Sequence, residues 1–172
     1  MKHHSTLLSV VTFVILSLVQ LGCNPSNSNK VEREGKPTIY HVETEDQEML
    51  AAIKKSRQSF DQFLRAYHSN DSSYQNFAIK LPFRTQTGSE HIWLTEITIE
   101  NGKIFGVVNN EPDNTNEVKL GQKIEINSAT ISDWDYMQGN KLMGGYTIWL
   151  LRDRMSPQER EEFDKSTGLE FN

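Results

Sequence analysis

A two-residue turn in the middle of the chain constrains the fold more than any other feature. Asn101-Gly102 separates two runs rich in β-branched and aromatic residues, 94–100 and 103–108. Asn-Gly is typical of a type I′ turn, which joins two antiparallel strands into a hairpin. The turn also fixes the register of the hairpin. The predicted cross-strand pairs are Glu100–Lys103, Ile99–Ile104, Ile97–Gly106 and Thr95–Val108.

The two faces of this hairpin differ in polarity. Side chains alternate between the faces of a strand, so Ile97, Ile99, Ile104 and Val108 are predicted to share one buried face. The opposite face carries charged residues, and Leu94 is predicted to lie there, partly covered. A sheet with one apolar face needs helices to cover it.

Three helices are predicted. Thr44 and Gln47 have the spacing of a capping box, and an apolar stripe of period 3.6 continues to about residue 68. Residues 146–153 are too apolar for an exposed segment and are predicted to form a buried helix. Ser156, followed by Pro157 and Glu159, begins the last helix, and Gly168 ends it.

The remaining apolar runs are predicted to be strands. Pro82 favours the end of its strand or a sheet edge, because proline cannot donate to a ladder. A second tight turn at Gly139-Asn140 predicts another hairpin. The fold class is therefore α+β, with a small, strongly bent antiparallel sheet or partial barrel packed by one N-terminal and two C-terminal helices. The additional strands are 77–83, 118–126 with a kink at Gly121, 129–138 and 141–143.

The N-terminus has the pattern of a bacterial secretory signal. Lys2 precedes an apolar run at 7–21, and Gly22-Cys23 follows it. Fifteen helical residues span about 22 Å, which is short of the ~30 Å hydrocarbon core of a bilayer. We therefore predict a cleaved signal peptide over residues 1–22 and lipid attached to Cys23. Gln20 departs from the usual apolar residue, and an uncleaved anchor or a soluble secreted protein are the alternatives.

The lipid prediction implies a location and a domain organisation. Two or three acyl chains on Cys23 hold a protein on a membrane stably, whereas one chain holds it marginally. Residues 23–43 are polar and are predicted to be a flexible tether, and residues 44–172 form one domain. Asn24 follows the cysteine, and lipoproteins of diderm bacteria with an Asp there commonly stay at the inner membrane. The expected location is therefore the cell envelope, on the outer membrane facing the periplasm in a diderm host.

Composition excludes several classes of function. Cys23 is the single cysteine, so its lipidation leaves no disulfide, thiolate metal site or cysteine nucleophile. Removing residues 1–22 takes away one lysine and leaves 17 basic and 23 acidic residues, which argues against nucleic acid as a partner. His41, His68 and His91 are far apart, so neither a metal site nor a cofactor is predicted.

Two short segments are the places where a site is expected. On a strand, His91 and Trp93 share one face, and so do Asp133 and Asp135. Two carboxylates on one face suit acid–base chemistry, although an Asp beside a Trp more often accepts structural hydrogen bonds. The catalytic candidates are His91, Glu111, Asp133 and Asp135. The binding candidates are His91, Trp93, Asp133, Trp134 and Tyr136.

Several strings of the sequence occur in the same order in one bacterial family. They are 77–83 (FAIKLPF), 90–94 (EHIWL), 108–112 (VNNEP), 120–121 (LG), 131–134 (ISDW), 144–147 (GGYT) and 151–157 (LRDRMSP). Over residues 46–168 the chain resembles the YegJ-like family, domain of unknown function 2314. The resemblance implies a compact α+β domain that is exported in some members. It implies no activity and no catalytic residues.

Three functions are compatible with the sequence. The first is a non-catalytic envelope lipoprotein that binds another protein or an envelope component. The second is a hydrolytic enzyme built on carboxylates, which requires its candidates to converge in one pocket. The third is an immunity-type protein that neutralises a toxin.

Overall fold

The computed structural model describes residues 30–33, 36–40 and 46–171, and the chain divides into two units, 1–41 and 42–172. In the first unit, strands β1 (Lys30–Arg33) and β2 (Lys36–Tyr40) form an antiparallel hairpin. These residues belong to the segment predicted to be an unstructured tether, so that prediction is corrected for them. The signal peptide, Cys23 and the proposed cap Thr44 lie outside the described residues.

The second unit has a six-stranded antiparallel sheet in the order β6-β5-β4-β3-β7-β8. Strands β6 and β8 are its edges, so the sheet is open and the partial-barrel alternative does not apply. The α+β class is confirmed. The elements are α1 (Gln47–Gln58), α2 (Phe60–His68), β3 (Tyr74–Arg84), β4 (Ser89–Glu100), β5 (Lys103–Val108), β6 (Lys123–Ile126), β7 (Asp133–Gln138), β8 (Lys141–Gly144), α3 (Tyr146–Asp153) and α4 (Pro157–Thr167).

The ends of the helices follow local chemistry. The first helix begins at Gln47 and has Asp46 as its N-cap, because the Asp46 carboxylate accepts the Met49 N–H at 3.0 Å. The predicted single N-terminal helix is broken at Ser59, where φ is −105° and ψ is 6°. The last helix has the predicted capping box between Ser156 and Glu159, and Gly168 ends it with a φ of 65°.

A β-bulge changes the register of the central hairpin. The pairs Glu100–Lys103 and Ile99–Ile104 are confirmed, but the register shifts between Thr95 and Thr98, so that Thr95 pairs with Val107 and not with Val108. Glu96 has a φ of +48°, which is unusual for a non-glycine residue. An extra residue in one strand reverses the alternation of side chains beyond it.

The bulge decides which side of β4 faces the core. Leu94, predicted to lie on the opposite face, is fully buried together with Ile97. Gly106 makes this possible, because a Cβ atom there would lie only 3.0 Å from both the Ile97 Cδ1 and the Leu94 Cβ. His91 and Trp93 consequently point away from the core.

Pro82 lies two residues before the end of β3, as predicted. It pairs with His91 of β4, but the pairing of β3 with β7 ends at Lys80. Beyond Lys80 the strand has one neighbour, so the missing N–H of Pro82 leaves no ladder bond unmade on the β7 side. The predicted strands 118–126 and 129–138 are also shorter, because β6 begins at Lys123 and a 3₁₀ turn occupies Ser128–Thr130.

Trp134 is the centre of the core. It is 1% exposed, and its ring contacts those of Phe63, Tyr136 and Tyr146 at centroid distances of 5.8 to 6.1 Å. Its indole N–H donates to the Ser56 carbonyl of α1 at 2.8 Å. This contact places α1 and α2 on the face of the sheet that carries Ile79, Leu81, Phe83, Ile92 and Leu94.

We expect Gly144→Ala to destabilise the protein far more than Gly121→Ala. The two glycines have nearly equal φ angles, +78° and +77°, so both substitutions incur the same backbone strain of about 1 to 2 kcal/mol. Only the Cβ at 144 overlaps other atoms, since it would lie 2.3 Å from the Trp134 carbonyl oxygen. Urea unfolding should show an additional loss of about 1 to 3 kcal/mol. Equal losses in the two variants would contradict this packing.

Candidate functional site

The face of the sheet opposite the core carries a group of polar and aromatic side chains. Lys80 of β3 alternates with the core residues of its strand, and it pairs with Trp93 of β4 on one side and Asp133 of β7 on the other. We call Lys80, His91, Trp93, Asp133 and Asp135 the outer-face cluster. The Lys80 Nζ lies 5.2 Å from the centroid of the Trp93 ring, within the range of a cation–π contact.

Asp133 is engaged entirely in structural hydrogen bonds. Its Oδ1 accepts the N–H groups of Trp134 at 2.9 Å and Tyr146 at 3.1 Å. Its Oδ2 accepts the N–H of Thr147 at 2.7 Å and its hydroxyl at 2.6 Å. Helix α3 follows Gly145, which offers no side-chain cap, so the Asp133 carboxylate caps the helix from a different strand.

The charge of Asp133 is opposed by burial and supported by its donors. The residue is 0% exposed. Desolvation raises the pKa of this carboxyl, while the hydrogen bonds from Thr147 and the charge of Lys80 act in the opposite direction. Accepting four hydrogen bonds favours the ionised carboxylate, because a protonated carboxyl would have to donate one. These bonds hold β7 and α3 together. Asp133 has no free oxygen for a reaction.

Lys80 and Asp135 are less completely bonded. The Lys80 Nζ lies 3.4 Å from the Thr147 hydroxyl, and burial lowers the pKa of Lys80 while Asp133 and Asp135 raise it. Among the described residues, no side chain or backbone group makes a hydrogen bond with the Asp135 carboxyl. Burial, together with the charge of Asp133, raises the pKa of Asp135 to about 8. Asp135 is therefore mostly protonated at neutral pH.

His91 lies in a positive local field. Its side chain keeps contact with solvent, although many protein atoms surround the ring. This crowding lowers the pKa of His91 to about 4, and the charges of Lys80 and Arg57 lower it further. The Arg57 side chain reaches this end of the sheet from α1, because its Nε donates to the Ile131 carbonyl at 2.7 Å.

The structure separates the remaining candidates from the outer-face cluster. Trp134 and Tyr136 are 1% and 6% exposed and belong to the core, so the binding surface predicted for them is corrected. Glu111 is exposed in the loop between β5 and β6. His91 and Asp133 lie on strands separated by β3, and these two strands are about 10 Å apart at a strand spacing of about 4.8 Å. His91 is also two residues along β4 from Trp93, which is level with Asp133. Residues 46–171 and the hairpin contain no cluster of three or more His, Asp, Glu or Cys suited to a metal.

The acidic loop after β5 is held by a carboxylate of β4. Glu90 accepts the N–H groups of Asp113 and Asn114 at 2.8 Å and that of Thr115 at 3.0 Å. Glu117 of the same loop accepts the Arg84 N–H at 2.8 Å. The loop is therefore anchored to β4 through residues 113–115 and to β3 through Glu117.

Sequence reasoning missed Lys80, Arg57 and Thr147. Lys80 had a usable signal, because a single charged residue interrupts an apolar strand over 77–83. Arg57 and Thr147 had none, since each contacts the cluster through residues far away in the sequence.

Comparisons with known proteins define the family of this α+β protein. Residues 46–171 match a family described as "Uncharacterized protein conserved in bacteria (DUF2314)", and the chain belongs to that family. It is 38% identical over 116 residues to the uncharacterized protein YegJ of Escherichia coli K12, a match that covers 67% of this chain and 74% of that protein. The resemblance to the YegJ-like family is thereby confirmed.

A second relative is longer. The chain is 33% identical over 146 residues to a protein of Neisseria meningitidis serogroup B that bears the name of an ankyrin repeat protein. The match covers 80% of this chain and 57% of that protein, so the chain spans little more than half of it. No solved structure matches the chain. None of the helices in the described residues is both long and apolar enough to cross a bilayer.

We expect Asp133→Asn to destabilise the protein by about 2 to 4 kcal/mol, because one buried acceptor becomes a donor that faces the N–H groups of α3. Glu111→Gln is the control, and its exposed side chain should change the stability by less than about 0.5 kcal/mol. Chemical unfolding followed by circular dichroism measures both. A loss below about 1 kcal/mol for Asp133→Asn would show that α3 does not depend on this carboxylate.

Asp135 gives a prediction about pH. Its pKa is raised on folding from 3.8 to about 8, so between these values the folded protein binds a proton that the unfolded chain has released. Stability should therefore fall as the pH rises through this range, by up to about 1.4 kcal/mol per unit. Asp135→Asn should flatten this decline when urea unfolding is measured from pH 4 to 8. An unchanged slope in the variant would contradict the assignment.

Proposed function

We propose that the protein is a non-catalytic binding protein of the bacterial cell envelope and that it binds through the outer face of its sheet. The observation that carries this proposal is the incomplete bonding of Lys80 and Asp135 beside Trp93. Lys80, Trp93 and Asp135 are half-buried, and free donors and acceptors next to an aromatic ring suit a recognition surface. Helices α1 and α2 cover the opposite face.

The geometry favours binding over hydrolysis. A carboxylate-based hydrolase needs two groups that converge on one substrate bond. Asp133 is committed to α3, and Glu111 lies on a separate loop. Asp135 remains, but His91 is two strands away from it. The cluster therefore offers recognition groups and lacks a paired acid and base.

The lipid anchor is part of the proposal. It is supported by the apolar run at 7–21, by the position of Cys23 directly after Gly22, and by the absence of any other cysteine in the chain. Lipid at Cys23 would hold the domain at the membrane, where its outer face would meet an envelope component. An immunity-type role is a special case in which that component is a toxin.

Membrane attachment is tested by replacing Cys23 with serine. A serine cannot form the thioether, so we expect the variant to move from the membrane fraction to the soluble envelope fraction. The proportion of the protein recovered with the membranes should fall at least tenfold. Gln20→Leu is the matched control, since it restores the usual apolar residue and should leave attachment intact. Unchanged membrane binding of Cys23→Ser would overturn the anchor.

The binding surface is tested by placing a photo-crosslinking amino acid at position 93 and, as a control, at position 105. Phe105 is on the same face but lies on β5, under Lys123 and away from Lys80. We expect adducts with one defined partner from position 93 that are reduced at least fivefold by Asp135→Asn. Adducts of equal yield from both positions, or none from position 93, would contradict the proposed surface.

A further inference from the structure

Three basic residues lie near one end of the outer face. His91 of β4 pairs with Pro82, and Pro82 is two residues from Lys80 on the same face of β3. On the other side of β3, the Ser132 N–H donates to the Lys80 carbonyl at 2.8 Å, which places Ile131 next to this end of the strand. The hydrogen bond from the Arg57 Nε to the Ile131 carbonyl brings the guanidinium to the same end. Arg57, Lys80 and His91 thus come from three different elements.

The donors of these side chains are largely unused. Arg57 uses its Nε, and in the described part of the chain its terminal N–H groups have no hydrogen-bond partner. Lys80 carries three N–H donors and has a single 3.4 Å contact, to Thr147. His91 makes no hydrogen bond with any described residue. The charges of Lys80 and Arg57 both lower the pKa of His91, which indicates that each of them lies near the imidazole ring.

Within the described residues, acidic side chains act mainly on the lysine of this group, since the charges of Asp133 and Asp135 raise the pKa of Lys80. Within residues 46–171, neither Arg57 nor His91 takes part in an ion pair, in a chain whose net charge is −5. Asp133 directs its oxygens toward α3, as described above. Asp135 is mostly protonated at neutral pH because burial and the neighbouring Asp133 raise its pKa to about 8. Arg57 therefore carries a charge with no ion-pair partner among the described residues, while His91, with a pKa of about 4, adds an uncharged ring at neutral pH.

We propose that Arg57, Lys80 and His91 form a binding site for a phosphate group. The proposal deepens the proposed function, because it names the ligand chemistry of the same face. A phosphate has three terminal oxygens that accept from donors in different directions, and the guanidinium fork matches two of them. A carboxylate presents its two oxygens in one plane, whereas the oxygens of a tetrahedral phosphate also meet donors that come from outside that plane. Trp93, adjacent to Lys80, gives the rest of the ligand an apolar surface.

The site is tested by titrating inorganic phosphate into the full chain and following the histidine C2–H resonances by NMR. A bound anion favours the protonated ring, so the pKa of His91 should rise from about 4 by at least one unit. His68, at the end of α2, is the internal control and should not respond. No change at His91 in 50 mM phosphate, or equal changes at both histidines, would overturn the site.

Variants separate the site from general charge. Arg57→Gln and Lys80→Met should each weaken phosphate binding at least tenfold. Arg65→Gln, which removes the same charge from the exposed face of α2, should leave it within twofold. Circular dichroism of each variant verifies folding, and Arg57→Lys, which keeps the charge, should lose less affinity than Arg57→Gln. Equal affinities in Arg57→Gln and Arg65→Gln would refute the assignment.

The phosphate could belong to a soluble compound or to a lipid headgroup, and vesicles distinguish the two. Sedimentation of the Cys23→Ser chain with phosphatidylcholine vesicles, with and without phosphatidic acid, is compared with the NMR titration. Binding that requires phosphatidic acid and is lost in Arg57→Gln supports the site with a lipid as its source. Phosphate binding without vesicle binding supports it with a soluble ligand. These results do not depend on cross-links from position 93. The phosphate site and the binding of a partner are therefore tested separately, and either proposal can be refuted without the other.

Discussion

The hydrogen bonds of the Asp133 carboxylate are the interaction on which the rest of this structure depends. They join the start of β7 to the start of α3, two elements that the Gly139-Asn140 turn, β8 and Gly145 separate in the sequence. Helix α3 then packs against α1, and α1 holds the Trp134 indole through the Ser56 carbonyl. A single buried carboxylate therefore links both faces of the sheet. It also fixes Thr147, the closest hydrogen-bonding neighbour of Lys80.

The local features of the fold could be predicted from the sequence. Each depends on residues within a few positions of one another: the Asn101-Gly102 and Gly139-Asn140 turns, the capping box of Ser156 and Glu159, and the C-terminal Gly168. Such features have a defined chemistry that the surrounding fold rarely overrides. For the same reason, the family resemblance and the α+β class could be inferred before the coordinates.

The features that depend on distant contacts could not be predicted. The bulge at Glu96 exists because Gly106, on the other strand, leaves room for both Ile97 and Leu94. The strand Asp133–Gln138 alternates polar and aromatic residues, so the sequence does not show which set faces the core. The indole of Trp134 faces the core because it donates to the Ser56 carbonyl, 78 positions away. The basic group was missed because Arg57 belongs to a helix and reaches the sheet by way of Ile131. Register, burial and the composition of the site were therefore decided by tertiary structure.

The two edges of the sheet have a consequence for behaviour at high concentration. Strands β6 and β8 are only four residues long, and each begins with a lysine. Beside β8, Lys141 makes a bridge with Glu170, whose N–H donates to the Asn140 carbonyl at 2.8 Å. Short, charged and partly covered edges offer few free backbone groups to a strand of another molecule. Neighbouring copies at high density would thus pair poorly through their edge strands, and the protein should resist the formation of fibrils.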